Sequence, residues 1–208
     1  LKKRTQHWVL FLYLNIMQTQ RKCGWCKGDD IYEKYHDTEW GIPVFEEQTL
    51  FEFLTLETFQ AGLSWITILR KRPEFRKAFD RFDYHKILHY NIQKEKELMN
   101  NSGIIRNRLK ISATIQNANA FIKIQSKKGS FSSYLWEFVD GTPIINSFKN
   151  QADIPSTSPL ALTLSRDLKQ KGFKFVGPTV IYAFMQATGM VNDHLVDCFR
   201  HKEVLLKR

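Results

Sequence analysis

Residues 96–118 read KELMNNSGIIRNRLKISATIQNA, and the parsing of this stretch decides the fold. It reads as a helix, a tight turn at Ser102 to Ile105 and a second helix with basic residues at its start, with Gly103 supplying a positive φ in the turn. Two helices joined this closely form a helix-hairpin-helix, placed near residues 95–126. Backbone N–H groups exposed at such a turn and at the N-terminus of the second helix can bind a DNA phosphate, and Arg106, Arg108 and Lys110 add positive charge. An ordinary helix connection with a solvated basic face fits the same residues, so the stretch alone does not choose.

Outward from the hairpin, helical periodicity continues. EEQTLFEFLTLETFQAGL, residues 46–63, places Leu50, Phe53, Leu54 and Leu56 at three- and four-residue spacing. Similar patterns cover 64–79, 84–100, 106–126, 131–139, 159–171 and 178–200, with breaks expected at Gly62, Pro73, Gly103, Gly129, Gly141 to Pro143 and Gly172 to Pro178. Strand-like alternation is nearly absent, and neither a solenoid repeat nor a low-complexity linker divides the chain. The expected class is all-α, with the two terminal segments folded back together.

The 208 residues, 43% hydrophobic and 13% aromatic, suffice to fill a core. Three cysteines fit no disulfide framework and point to a reducing, cytoplasmic setting. A net charge of +10, from 31 Lys and Arg against 21 Asp and Glu, favours polyanionic partners without choosing nucleic acid over anionic membrane. The start, LKKRTQHWVLFLYLNIM, resembles a basic segment followed by an apolar run. That run, Trp8 to Met17, is about half the length a bilayer crossing needs and no small-residue cleavage pattern follows it. Residues 1–16 are therefore read as an extension or leader outside the core, with a native start expected at Met17.

Cysteine and histidine cluster at both ends. Cys23 and His36 stand near the start, while His194 and Cys198 are four residues apart on a predicted helix, where they would share one face. Two thiolates and two imidazoles could complete a tetrahedral, structural zinc site that ties the ends together. Alternatively, CGWC (Cys23 to Cys26) forms a redox pair, although no βαβ pattern surrounds it. A site of Cys23, Cys26, His194 and Cys198, or simple buried thiols, also fits.

Longer motifs add a resemblance. RKCGW (21–25), YHDTEWG (35–41), LETFQAGLSWITIL (56–69), SGIIRNRLKI (102–111), IPSTSPLALTLSRDLKQKGFKFVGPT (154–179) and YAFMQATGMVNDH (182–194) occur in this order. Together they resemble the 3-methyladenine DNA glycosylase I family over residues 21–198, which suggests one glycosylase domain spanning 17–208. The resemblance implies a helix-hairpin-helix fold gripping double-stranded DNA across a cleft. It also implies structural zinc on Cys23, His36, His194 and Cys198, with Cys26 outside the set, and Glu57 contacting the damaged base between Trp65, Tyr35, Tyr32 and Trp25.

The chemistry agrees with those residue types. A glycosylase must extrude a base and hold it while the N-glycosidic bond breaks. Adenine alkylated at N3 is a flat cation and a good leaving group, so aromatic faces and a carboxylate are the groups its recognition needs. Glu57 lies in an apolar helical run, where an unpaired carboxylate is costly and a partner or pocket is expected. Trp40 reads better as core. Leu63 is a wedge candidate or a core residue, and with Gly103, Ile105 and Arg106 it completes the expected DNA-contacting set.

The expected reaction is hydrolytic excision of 3-methyladenine, leaving an abasic site and an intact strand, by a monomer. The resemblance implies that the aspartate used by related glycosylases is missing; Asp193 reads instead as a helix-terminal charge or a partner of the metal-binding His194. Two other readings fit, a noncatalytic zinc-containing DNA-binding module and a redox or scaffold protein built on CGWC.

Overall fold

The computed structural model describes residues 21–204, so the expectations for residues 1–16 and for Met17 lie outside it. A 3-10 turn, Gly24–Cys26, leads to α1 (Asp30–Thr38), α2 (Glu47–Gln60), α3 (Trp65–Ala78), α4 (Tyr84–Ile87), α5 (Ile92–Asn100), α6 (Arg108–Lys128) and α7 (Phe131–Trp136). After β1 (Ile144–Ile145) come α8 (Pro159–Gln170), α9 (Pro178–Ala187), β2 (Val191–Asn192) and α10 (Phe199–Glu203). The two strands form only a two-residue parallel pair, Ile144 with Val191 and Ile145 with Asn192.

Helix starts follow capping chemistry. Asp29, Asn91, Asn107 and Ser158 accept backbone N–H groups at the heads of α1, α5, α6 and α8, and Pro159 and Pro178 open α8 and α9 where a missing N–H costs nothing. Helix α2 is buried on every side from Leu50 to Phe59, packed against α3, α6, α7 and α9. Its apolar stripe was therefore only part of the story: this is the central helix of the core. Phe59 packs against Phe75 and Phe79, and full burial of each such ring contributes about 1.5–3 kcal/mol. Glu52, buried on α2, is matched by Arg72 and Arg76 of α3, and Arg72 also reaches Glu39.

Several expected boundaries are corrected. Pro73 lies inside α3 and does not break it; Leu69, Arg72 and Phe75, buried on both sides, anchor the two halves against the core. The 84–100 segment divides, because Asn91 caps a new helix after α4. The 178–200 segment is not one helix: α9 stops at Ala187, the chain turns at Gly189 with φ +69°, and β2 follows. His194 and Cys198 therefore sit in the loop between β2 and α10, not on one helical face.

The hairpin is present as α5, the 101–107 turn and α6. Gly103 does not adopt a positive φ; a side chain there is resisted by contact, since a Cβ would stand 3.0 Å from Glu74 Cβ and 3.0 Å from Asn101 Oδ1.

Candidate active site and metal centre

One cavity of about 190 Å³ gathers the candidate substrate residues. Helix α1 contributes Tyr32 and Tyr35, α2 contributes Glu57 and Gln60, α3 begins with Trp65, and Trp25 and Trp40 close one side. Gln151, Ile154, Ala183 and Gln186 complete the lining. The aromatic wall is continuous: Trp25 meets Tyr32 at 4.8 Å and Trp40 at 5.0 Å, and Tyr35 meets Trp65 at 5.6 Å between ring centroids. Trp40, assigned to the core from sequence, is both buried and part of this wall.

Glu57 is 3% exposed, and its Oε2 has no hydrogen-bond partner among the described residues. Burial alone raises its carboxyl from the ordinary 4.5 to about 8. Burial, and then the Glu57 charge, also pushes the Tyr32 and Tyr35 hydroxyls above their usual range. Trp65 Nε1 is a second buried polar atom on the same cavity with no partner among the described residues. Buried polar atoms are almost always satisfied, so an orphan acceptor and an orphan donor on one aromatic cavity mark a site shaped for a polar, flat guest.

The four-residue cluster lies behind the Trp25 and Trp40 wall. Ligand atoms of Cys23, His36, His194 and Cys198 all lie within 4.8 Å of one another, and all four residues are buried. Cys198 Sγ is 3.4 Å from His36 Nε2 and 3.7 Å from His194 Nδ1, and Cys23 Sγ is 3.8 Å from His194 Nδ1. Outer partners orient both rings: His36 Nδ1 pairs with Asp37 at 2.8 Å and His194 Nε2 with the Trp40 carbonyl at 3.1 Å. Each imidazole is thus turned so that its other nitrogen faces the thiols, the arrangement of a metal centre. A tetrahedral ion bonded to sulfur at about 2.3 Å and nitrogen at about 2.0 Å needs ligand edges of roughly 3.3–3.8 Å, and these three sulfur–nitrogen spacings fall in that range. A hydrogen bond between the two cysteines lowers the Cys198 thiol and raises that of Cys23. This cluster could hold a metal ion.

Cys26 stays outside the four, buried, with its thiol donating to the Cys23 carbonyl at 3.1 Å. Asp193 corrects the sequence reading in both its forms. Its oxygens accept from Asn146 at 2.6 Å, Tyr182 at 2.7 Å and Gln186 at 2.8 Å, so it braces a pocket residue and touches neither a helix start nor His194's ring.

The candidate DNA contacts lie outside the cavity. Leu63 is 41% exposed at the turn joining α2 to α3. Ala61 (φ −48°, ψ 116°) and Gly62 (φ +85°) give this turn type II geometry, closed by the Leu63 N–H on the Gln60 carbonyl. On the hairpin, Arg106 is exposed and Ile105 half-buried. The Gly103 N–H is taken by the Asn101 side chain, while those of Ile105 and Arg106 have no partner among the described residues. Lys110 is not a surface charge as expected; it is buried and donates to the carbonyls of Phe59 and Ala61.

The pocket residues Gln151, Ile154, Ala183 and Gln186 had no local signal. Gln151 sits in a 3-10 turn, and Ala183 and Gln186 lie on an apolar helix whose pattern reads only as core.

Known proteins share this fold and much of this sequence. The family model described as methyladenine glycosylase matches residues 25–201. DNA-3-methyladenine glycosylase of Haemophilus influenzae is 44% identical over 177 residues, covering 85% of this chain and 96% of that protein. DNA-3-methyladenine glycosylase 1 of Escherichia coli is 43% identical, covering 85% and 95%. A crystal structure of 3-methyladenine DNA glycosylase I superposes with a TM-score of 0.84 at 45% identity, covering 86% of this chain and 98% of that one. That of the Staphylococcus aureus enzyme, solved for 3-methyladenine recognition, gives 0.83 at 38% identity over 86% and 95%. With the cavity and the Cys and His cluster set in a fold shared over this length, the chain belongs to the methyladenine glycosylase family.

Proposed function

We propose that this protein excises 3-methyladenine from double-stranded DNA as a monofunctional N-glycosyl hydrolase, leaving an abasic site for repair. The observation that carries the reading is the unpartnered Glu57 carboxyl in an aromatic cavity. A neutral guest gains nothing from an ionised Glu57 that water would not also give. An adenine alkylated at N3 brings a positive charge and N–H donors to the carboxylate, while Trp25, Tyr32, Tyr35 and Trp65 supply stacking faces for the cation. Alkylation makes the base a good leaving group, so the pocket needs to extrude, hold and desolvate it more than to protonate it.

As the bond breaks, the sugar acquires oxocarbenium character and water accepts it. Asp193 is not offered as the group activating that water, because its oxygens are taken by Asn146, Tyr182 and Gln186. Leu63 fills the gap left by the extruded base, a role its exposure at the tip of its turn supports. The N–H groups of Ile105 and Arg106, the Arg106 side chain and the close-packed Gly103 form the phosphate grip of the hairpin.

Zinc is the metal proposed for Cys23, His36, His194 and Cys198, since two thiolates and two imidazoles suit it. When bound it supplies structure only, because four protein ligands leave no open position. It ties the segment bearing Trp25, Tyr32 and Tyr35 to the chain beyond β2. The protein acts as a monomer on chromosomal DNA, inside the cell; among the described residues no helix is long and apolar enough to cross a membrane.

The test is chromatography of bases released from methylated duplex DNA by the protein and by Glu57→Gln. Release of 3-methyladenine but not 7-methylguanine, lost in the variant, is expected. Zinc-loaded, folded protein that binds DNA and releases no base would leave a noncatalytic binding module.

A further inference from the structure

The Leu63 turn and the hairpin turn are joined by a reciprocal pair of lysines. Lys110, in the first turn of α6 and 6% exposed, donates to the carbonyls of Phe59 at 2.9 Å and Ala61 at 2.8 Å. These belong to the end of α2 and to the central peptide of the type II turn, where a helix leaves its carbonyls without intrahelical partners. Lys71, on α3 just beyond the same turn, reaches the other way and donates to the carbonyls of Ser102 at 3.0 Å and Gly103 at 3.3 Å. Gly103 itself packs against Glu74 of α3, where an added Cβ would stand 3.0 Å from Glu74 Cβ.

Lys110 has no carboxylate partner among the described residues, and burial lowers its ammonium below the usual range. A buried cation without a counter-charge is a poor choice for packing alone, since an apolar side chain of similar length would fill the space at lower cost. What the cation adds is direction: it fixes two carbonyls at one point relative to α6. Lys71 does the same for the hairpin relative to α3.

We propose that Lys110 and Lys71 are positioning residues that hold the Leu63 turn and the phosphate-gripping hairpin in one register, so that grip and wedge act on the same nucleotide. The proposal rests on the glycosylase reading above. Neither lysine touches the base, so their loss affects extrusion from the duplex and leaves the pocket intact.

The experiment compares the parent protein with Lys110→Met and Lys71→Met in three readouts: single-turnover excision from methylated duplex DNA, binding of free 3-methyladenine by tryptophan fluorescence, and thermal unfolding. Misplacement by about 1 Å can cost on the order of a hundredfold in rate, so each variant is expected to lose about ten- to hundredfold in duplex excision. Free-base affinity should stay within about twofold, because ground-state contacts in the pocket are unchanged. Equal loss of free-base affinity and excision, or unchanged excision in both variants, overturns the proposal. Should Lys110→Met fail to fold, Lys71→Met decides, since its side chain is half-buried and its carbonyl partners lie in a surface turn. A parent that releases no base overturns the glycosylase reading itself, an outcome separate from a selective loss in the variants.

Discussion

Glu57→Gln should stabilise the protein, and increasingly so as pH rises. In the folded chain burial raises the Glu57 carboxyl from 4.5 to about 8, whereas the unfolded chain leaves it near its ordinary value. Between those two pH values the folded state holds a proton that the unfolded state has released, so raising the pH favours unfolding. At 1.36 kcal/mol per pH unit the full penalty is about 5 kcal/mol above pH 8, about 3 kcal/mol at pH 7 and under about 1 kcal/mol at pH 5. Glutamine has nearly the same shape and no proton to lose, so every other titration cancels when the two proteins are compared.

The assay is thermal unfolding of parent and variant across pH 5 to 9 at fixed zinc. For a domain of this size 1 kcal/mol moves Tm by about 2–4 °C, so the advantage of the variant should grow by about 10 °C over that range. A Tm difference that stays flat with pH would refute the reasoning. It would mean that Glu57 is satisfied in the folded protein, and the orphan carboxylate could then no longer be the basis of base recognition.

Three further outcomes are expected. Cys23→Ser should lose the proposed zinc, measured by elemental analysis, and unfold several degrees lower, while Cys26→Ser, whose thiol donates to the Cys23 carbonyl and lies outside the cluster of four, should keep one metal equivalent. Asp193→Asn should cost about 1–3 kcal/mol in chemical denaturation, because an amide N–H replaces an acceptor facing Asn146, Tyr182 and Gln186. It should still excise base, whereas a water-activating aspartate would not tolerate the change. Finally, kcat/KM on methylated DNA should rise with pH toward a plateau above about 8, reporting ionisation of Glu57 in the free protein.

Much of this was legible in the sequence, for identifiable reasons. Apolar spacing located the helices, and Glu57 announced itself as a carboxylate in an apolar run. What escaped was non-local. Nothing near Lys110 says that its ammonium caps a helix some fifty positions earlier, so it read as a surface charge. Gly103 looked like a residue chosen for φ, when close contact with Glu74 and Asn101 is what resists a side chain there. The four-residue spacing of His194 and Cys198 suggested a helix, but pairing of Val191 and Asn192 with Ile144 and Ile145 holds that segment extended. Gln151 and Gln186 reach the cavity through turns and packing that no local pattern encodes.

Under the proposed function, the stability cost at Glu57 and the recognition of damage are two sides of one quantity. At neutral pH the empty pocket holds a protonated carboxyl, because among the described residues no positive group stands near enough to keep it ionised. Undamaged adenine is neutral and leaves that state unchanged. An N3-alkylated base brings its own charge into a water-poor aromatic cavity, where opposite charges attract far more strongly than in solvent, and so favours release of the Glu57 proton. The free energy withheld by leaving the carboxylate unpaired is thus regained only with a cation. Net stabilities of folded domains are about 5–15 kcal/mol, so withholding about 3 kcal/mol at one residue at neutral pH demands that the surroundings not relax. The Cys and His cluster behind Trp25 and Trp40 backs the aromatic wall of the pocket. If that support yielded, water could reach Glu57, and the discrimination between damaged and undamaged adenine would fall before the fold did.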